Sequence, residues 1–473
     1  MSVRTDSSSP VKFNPRFAIP ILLFLFVFCL VIDQGFKFMT KPMADDLGLD
    51  ITTASLQVTL TGIVLAVGIV IYSTLADVMS MRKLLYISIG LIALGSLVGF
   101  VFQGSWPLVL TGRMIQTAGI AAAETLYVIY ATKYFTGNEQ KKYLGYSTAA
   151  FQFAGLVGVL ASGVVATYLH WSVMFLLPVI ALATLPFLKR LPNKVDEATE
   201  ESGGLDLLGL FLIAVIATGV ILFIQAFNWL WLVPAVVAIA VFVWHIRTHG
   251  NAIVDPAFFK NGRFITTLGV VFIMYTVYMG YVFFVFPVAI PELHGMDPVS
   301  VAFLMVPGYL CGALVGVFSG GIAKYLSSKQ AIVLAISLSI LALAMSALFI
   351  ESTLWVLILG LAIYVSCDSL MYAPLISTAV QDIPPARNGV AIGFYNLVIN
   401  IAFPVGAAYT AKLLEVKPDF LGFATVGGTG AGAGYATVLW ILTGVAVLAL
   451  VVYLAATTVL DRRDALRKEL LAV

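Results

Sequence analysis

From Leu207 to Ile246 the chain runs without a single Asp, Glu, Lys or Arg. About 20 apolar residues in a helix cross a hydrocarbon layer of ~30 Å, so this stretch is long enough to cross twice. Similar runs recur along the chain, near 17–40, 54–76, 84–103, 107–132, 145–168, 172–188, 206–227, 229–246, 264–289, 299–323, 330–350, 355–378, 389–414 and 433–457. Charged residues make up only 11% of the sequence and hydrophobic ones 61%. Soluble domains carry about 25% charged residues, so no water-soluble core accommodates this composition. The expected fold is an all-α integral membrane protein with 14 transmembrane helices.

Basic residues test that count. With the N-terminus inside, the inner segments collect 21 of the 26 Lys and Arg, from Arg4, Lys12 and Arg16 to Arg462, Arg463, Arg467 and Lys468. The outer segments hold Lys41, Lys412 and Lys417, and Lys37 and Arg113 fall inside spans. This is the positive-inside bias, and one miscounted span would scramble it. The expected protein is multi-pass, with both termini cytoplasmic. The first span is too long for a signal-peptide core, and no cleavable leader is apparent.

Two polar inner loops, 189–205 and 247–263, bracket the charge-free pair of spans. A 6+2+6 organisation follows: residues 1–190 as a first six-helix bundle, 191–263 as cytoplasmic loops and two extra helices, and 264–473 as a second bundle with a cytoplasmic tail. The extra pair is read as structural. Cys29, Cys311 and Cys367 all lie in apolar runs and form no metal-ligand pattern, and they are read as small buried hydrophobes.

Several segments carry a family pattern. "STLADVMSMRK" (73–83) is similar to G-x-L-a-D-r-x-G-r-r, keeping Leu75, Asp77 and Arg82. "GRMIQTAGIAAA" (112–123) is similar to R-x-x-Q-G-x-G, keeping Arg113, Gln116 and Gly119. "AGLVGVLASGVVATYLHW" (154–171) resembles the antiporter signature G-P-x-x-G-G, keeping Gly158 and Gly163, with Val159 and Ser162 at altered positions. Asp33 and Pro42 match the ends of D-x-T-x-x-x-x-x-x-P. In this order the motifs resemble the major facilitator superfamily, in its fourteen-helix drug:proton antiporter branch, with "HWSVMFLLPVIALATLPFL" (170–188) closest to Gram-positive tetracycline exporters. The resemblance implies alternating access, proton-coupled export, a conformational latch at Asp77 and Arg82, a central cavity containing Arg113 and Gln116, and close helix packing at Gly158 and Gly163.

The residues themselves add detail. An ionisable group at mid-span costs about 2.5–3.5 kcal/mol on insertion scales and should face a cavity or a partner. Asp33, Lys37, Arg113, Glu124 and Asp368 are such groups. Asp33 and Arg113 lie at matching depths, and the expectation is that they pair. Lys37, one turn further along at i+4, either adds a second cation or tilts to the interface; tilting is the preferred expectation, because lysine snorkels readily. Glu124 follows Arg113 by about three turns, on the same face, and is a candidate proton carrier or cation-binding group. Asp368, with Tyr372 four residues on, is expected to face the cavity from the second bundle.

No P-loop, HExxH or spaced His/Cys cluster is present, which leaves an ion gradient as the energy source and gives no reason to expect an enzyme. The expected partners are a small amphipathic substrate, protons and the lipid bilayer of the cell membrane, with a monomer as working unit. No cofactor, metal or nucleic acid is expected. The alternative is an exporter or flippase of an endogenous lipid, glycolipid or anionic metabolite, which Lys37 and the altered signature favour.

Overall fold

The computed structural model describes residues 16, 18–135, 137–190, 206–248, 261–322, 325–383, 388–423, 425–426 and 430–471. Among them regular structure is helical throughout, without strands. Thirteen helices are long and apolar enough to cross a membrane. A further helix, Trp106–Tyr134, is not among these thirteen; it is 29 residues long and carries Arg113 and Glu124. Most of loops 189–205 and 247–263 lies outside the described residues.

The first apolar run is two helices. α1 (Ile19–Lys37) stops at Phe38, and a short α2 (Thr40–Leu47) follows, ended by Gly48 at φ +63°. Only glycine adopts that conformation freely, so the turn is fixed here. Asp50 then caps α3 (Ile51–Val78) by accepting from the Thr53 amide, and Ser80 opens α4 (Met81–Val101). α5 (Trp106–Tyr134) and α6 (Gly137–Tyr168) complete the first group, α6 starting well before the expected residue 145. The sixth run is not an α-helix. It forms 3₁₀ segments, Trp171–Phe175 and Leu177–Arg190, around Pro178 and Pro186. Prolines lack the amide an α-helix needs, which accounts for the departure.

α7 (Leu207–Ala226) and α8 (Leu232–Thr248) form an antiparallel pair. Their far end is joined by a buried contact, His245 Nε2 to Asp206 Oδ1 at 2.7 Å. Next, α9 (Gly262–Tyr278), a π-helical turn over Met279–Val285, and α10 (Phe286–His294) make one continuous rod. Pro287 stands just after the π turn, which absorbs the lost backbone bond. α11 (Pro298–Ile322), α12 (Ser328–Leu348), α13 (Leu354–Val380), α14 (Asn388–Val416) and α15 (Ala433–Leu471) complete the chain. α15 runs well past the expected end at 457.

Two large cores result. One draws on residues between Ala18 and Leu188, the other mainly on residues between Phe264 and Tyr453. The halves meet along two seams, α6 against α11 and α3 against α14. Small residues bring the backbones together there: a methyl added at Gly62 would lie 2.8 Å from the Pro404 ring, and one at Gly163 would lie 2.6 Å from Ala302 Cβ. α7 covers the α3–α14 seam, packing Ala217 and Ile221 against Ile63 and Ala408. Gln225 adds a hydrogen bond to Ser55 Oγ at 3.2 Å.

The bundle has two ends. At one, Lys41 reaches Asp45 at 2.9 Å and Glu292 at 3.5 Å, and Glu292 also accepts from Lys417 and Tyr435. At the other, Arg263 bridges Asp382 and Asp461, and Lys329 joins Asp461 at 2.8 Å. These are called the Lys41 face and the Arg263 face. The described start of α1 lies toward the Arg263 face, since α1 ends beside the Lys41 face.

Candidate functional site

A cavity of about 50 Å³ sits where the halves meet. α1 contributes Asp33, Gln34 and Lys37, α5 contributes Arg113 and Glu124, and α14 contributes Asn400 and Phe403. Two cations and two carboxylates therefore share one small space, large enough for water but not for an organic substrate.

The pairing within it differs from expectation. Lys37 Nζ lies 2.8 Å from Asp33 Oδ2, one helical turn back, and donates to Gln34 Oε1 at 3.1 Å. Its side chain is only 12% exposed, so it does not tilt to the interface. The reason is aromatic: Phe283 and Phe403, from the second half, place their rings 5.5 and 5.2 Å from the ammonium. A desolvated lysine over two ring faces gains cation–π energy that an aqueous one does not. Asp33 consequently makes no ion pair with Arg113 among the described residues. Arg113 is fixed otherwise. Its guanidinium lies over the Phe36 ring, 3.8 Å from the ring centre, and donates to Gln116 Oε1. Gln116 is anchored in turn on Ser96 Oγ at 2.9 Å. Glu124 Oε1 and Arg113 Nε have no hydrogen-bond partner among the described residues. Buried groups left so are rare and commonly meet water, a ligand or a proton.

Lys37 also forms the floor of a second, larger cavity of about 520 Å³, open toward the Lys41 face. Its walls are apolar, from Val159 and Ala166 of α6, Phe284 and Val288 of the α9–α10 rod, and Val301 and Met305 of α11. Its rim carries charge already engaged. Asp45 holds Lys41, and Asp46 accepts from Trp171 Nε1 at 2.8 Å and contacts His170 at 3.2 Å. For Lys41, burial is outweighed by Asp45 and Glu292, which hold its ammonium above the ordinary lysine value.

The other expected residues fall elsewhere. Asp368 and Tyr372 do not reach the Asp33 cavity. Asp368 is buried in the second half with Oδ1 unpartnered, close enough to Tyr275, Tyr278, Tyr309, Tyr364 and Tyr395 to act on them electrostatically. Gly158 packs α6 on α1 beside Gln34 and Gly35, whereas Gly163 packs α6 on α11 across the halves. The Asp77 side chain lies outside the described residues; Arg82 donates to the Lys189 carbonyl at 2.6 Å. Cys29 and Cys367 are buried, but Cys311 is exposed on α11, against expectation. Sequence reasoning missed Phe36, Phe283, Phe403 and Ser96. Nothing in a chain rich in aromatics marks the three phenylalanines from the rest.

The family model described as Major Facilitator Superfamily matches residues 22–407. The chain belongs to this superfamily. It is therefore a multi-pass membrane transporter and not an enzyme. It is 21% identical to the riboflavin transporter RibZ of Clostridioides difficile, over 83% of this chain and 87% of that one. It is 22% identical to the quinolone resistance protein NorB of Staphylococcus aureus, over 93% and 95%. Among solved structures, PepTSo, a POT family transporter, superposes with a TM-score of 0.68 at 14% identity, covering 95% of this chain and 99% of that one, and shares the fold.

Proposed function

We propose that this protein is a secondary active transporter that exports small amphipathic compounds by alternating access, coupled to protons moving down their gradient. In this reading α5 is the fourteenth span, α1–α6 with the 3₁₀ segments form one moving bundle, α9–α15 form the other, and α7–α8 is a fixed insert. The Arg263 face, with both chain termini, is cytoplasmic, as the basic residues predict. The observation that carries the proposal is the quartet Asp33, Lys37, Arg113 and Glu124, buried or partly buried around one cavity at the junction of the halves. Groups so costly to bury mark ion or substrate pathways in membrane proteins. Asp33 and Glu124 are the proposed proton carriers, with Asp368 a second such group in the other bundle. Gln116 positions Arg113. Asp77 with Arg82 remains the proposed latch. Similarity to a quinolone resistance protein supports a drug-like substrate.

The test is transport in proteoliposomes under an imposed pH gradient, against a panel of cationic, neutral and anionic amphiphiles. Asp33→Asn should abolish gradient-driven transport while the protein still inserts. Gradient-driven transport at the parent rate in that variant would overturn the coupling role of Asp33.

A second reading, an endogenous lipid, glycolipid or anionic metabolite as substrate, is favoured by one observation. Lys37 is partly buried and lines the larger cavity, so it brings a cation to that wall.

A further inference from the structure

The two cavities share Lys37, and its position decides what each can receive. A ligand entering from the Lys41 face passes a rim whose carboxylates are engaged, then apolar walls, and arrives at the Lys37 ammonium. Asp33 and Glu124, the carboxylates a cation would seek, lie behind that ammonium in the small cavity. A cation entering by this route meets like charge first. An anion meets its partner.

We infer that the 520 Å³ cavity is a binding site for a small amphipathic anion, whose acidic group takes Lys37 from Asp33 while its apolar body lies against Val159, Val288, Val301 and Met305. This rests on the transport reading and narrows its substrate class. The volume lies within the range of about 300–1,000 Å³ usual for small-molecule sites. Lys37 can be given up because Asp33 has a second cation on its other side. Arg113 lines the same small cavity, and its guanidinium retains a nitrogen, Nε, without a partner. The exchange pairs the ligand with Lys37 and Asp33 with Arg113, and leaves Glu124 as the one carboxylate of the four groups without a cation. The empty state in turn is held by the Asp33 bridge, the Gln34 amide and the two aromatic rings. Lys37 is thus a specificity-determining residue, which an internal carboxylate occupies whenever no substrate does.

The test uses matched probes, naphthalene sulfonate and naphthyl trimethylammonium, radiolabelled and bound to the full chain in phosphatidylcholine nanodiscs, with empty nanodiscs as blank. The sulfonate should bind at least tenfold more tightly than the ammonium compound. Lys37→Gln should cost about tenfold or more in sulfonate affinity, and Lys37→Arg should restore most of it. Asp33→Asn should tighten sulfonate binding, because it releases Lys37; a variant that merely disturbed the fold would weaken it. Thermal unfolding of each variant in the same nanodiscs checks folding.

Equal or tighter binding of the ammonium compound, sulfonate affinity indifferent to Lys37→Gln in a folded variant, or weaker binding in Asp33→Asn would each overturn the inference. It can fail separately from the transport reading. Gradient-driven transport with probe binding indifferent to Lys37 removes the anion site alone. Lys37-dependent binding without gradient-driven transport removes the coupled-transport reading alone.

Discussion

One hydrogen bond of the α6–α11 seam near the Lys41 face can be removed without changing shape. Val299 is in the first turn of α11, where amides have no partner within the helix. Its amide donates instead to Thr167 Oγ1 on α6, at 2.9 Å. Thr167→Val deletes that acceptor and keeps the branched side chain. A single hydrogen bond of this kind contributes about 0.5–1.5 kcal/mol net. It is made across the halves, so its full contribution falls on the arrangement in which α6 and α11 are joined. The ratio of parted to joined α6–α11 seam should therefore rise by about 2- to 13-fold, at ~1.36 kcal/mol per tenfold.

The readout is thiol labelling at Ser162→Cys, in a background with Cys29, Cys311 and Cys367 replaced. Ser162 lines the larger cavity and is 2% exposed with α6 and α11 joined. Its labelling by a charged, membrane-impermeant reagent should accelerate by the same 2- to 13-fold in Thr167→Val. Thr167→Ser keeps the hydroxyl and should label at the parent rate. An unchanged or slower rate in Thr167→Val would refute the reasoning. Acceleration in Thr167→Ser as well would show that packing, not the hydrogen bond, holds the seam.

Lys41→Gln in the same assay should change labelling by less than about twofold, since Lys41 and Glu292 are 38% and 36% exposed and such pairs contribute little; a tenfold change would mean that the pair is a gate. Asp50→Ala should lower thermal stability by the equivalent of about 1 kcal/mol, the usual loss for an N-cap. For Asp50, burial acts upward but is outweighed by the bonds from Thr53 and the charge of Lys412, so its carboxyl sits below its ordinary value of 3.8. A depressed carboxyl stabilises above its unfolded value and loses that contribution as pH falls through the folded one, so the deficit of Asp50→Ala should shrink below about pH 4. In intact cells, cysteines at Ser202 and Asn251 should be blocked only by membrane-permeant reagents and one at Gly430 by impermeant ones; any reversal would mean that the orientation is wrong.

Much of the architecture is legible in the sequence, because a hydrocarbon layer tolerates few alternatives. Thirteen of the apolar runs appear as helices able to cross a membrane. The boundaries at Gly48, Asp50 and Gly295 differ from the expected 40, 54 and 289, although a glycine or an N-cap carboxylate marks each of them. Others failed where hydropathy stops but the helix does not. α6 begins inside the polar stretch "GNEQKK", and α15 runs on through Asp461, Arg462 and Arg463. The 3₁₀ course of Leu177–Arg190 was hidden too, since its composition suits an α-helix as well.

The candidate site was legible in membership but not in pairing. Asp33, Lys37, Arg113 and Glu124 are conspicuous as charges in apolar helices, and they line one cavity. Equal depth suggested Asp33 with Arg113, yet the i,i+4 spacing of Asp33 and Lys37 is satisfied instead. What decides between them lies far along the chain. Snorkelling requires an open route to the interface, and Phe38 packing on Phe283 at 4.8 Å between ring centres narrows that route. Phe283 and Phe403 then favour the buried ammonium. No local pattern around residue 37 carries this information, because both rings belong to the other half. The same fact constrains the proposed transport cycle. If the halves separate at the Lys41 face, Phe283 and Phe403 must move away from Lys37, and the ammonium loses its aromatic cover just as water reaches it. Its hold on Asp33 then weakens through solvation alone, because the attraction between two charges falls as the dielectric constant around them rises. Opening of this face and release of Asp33 are thus coupled by geometry.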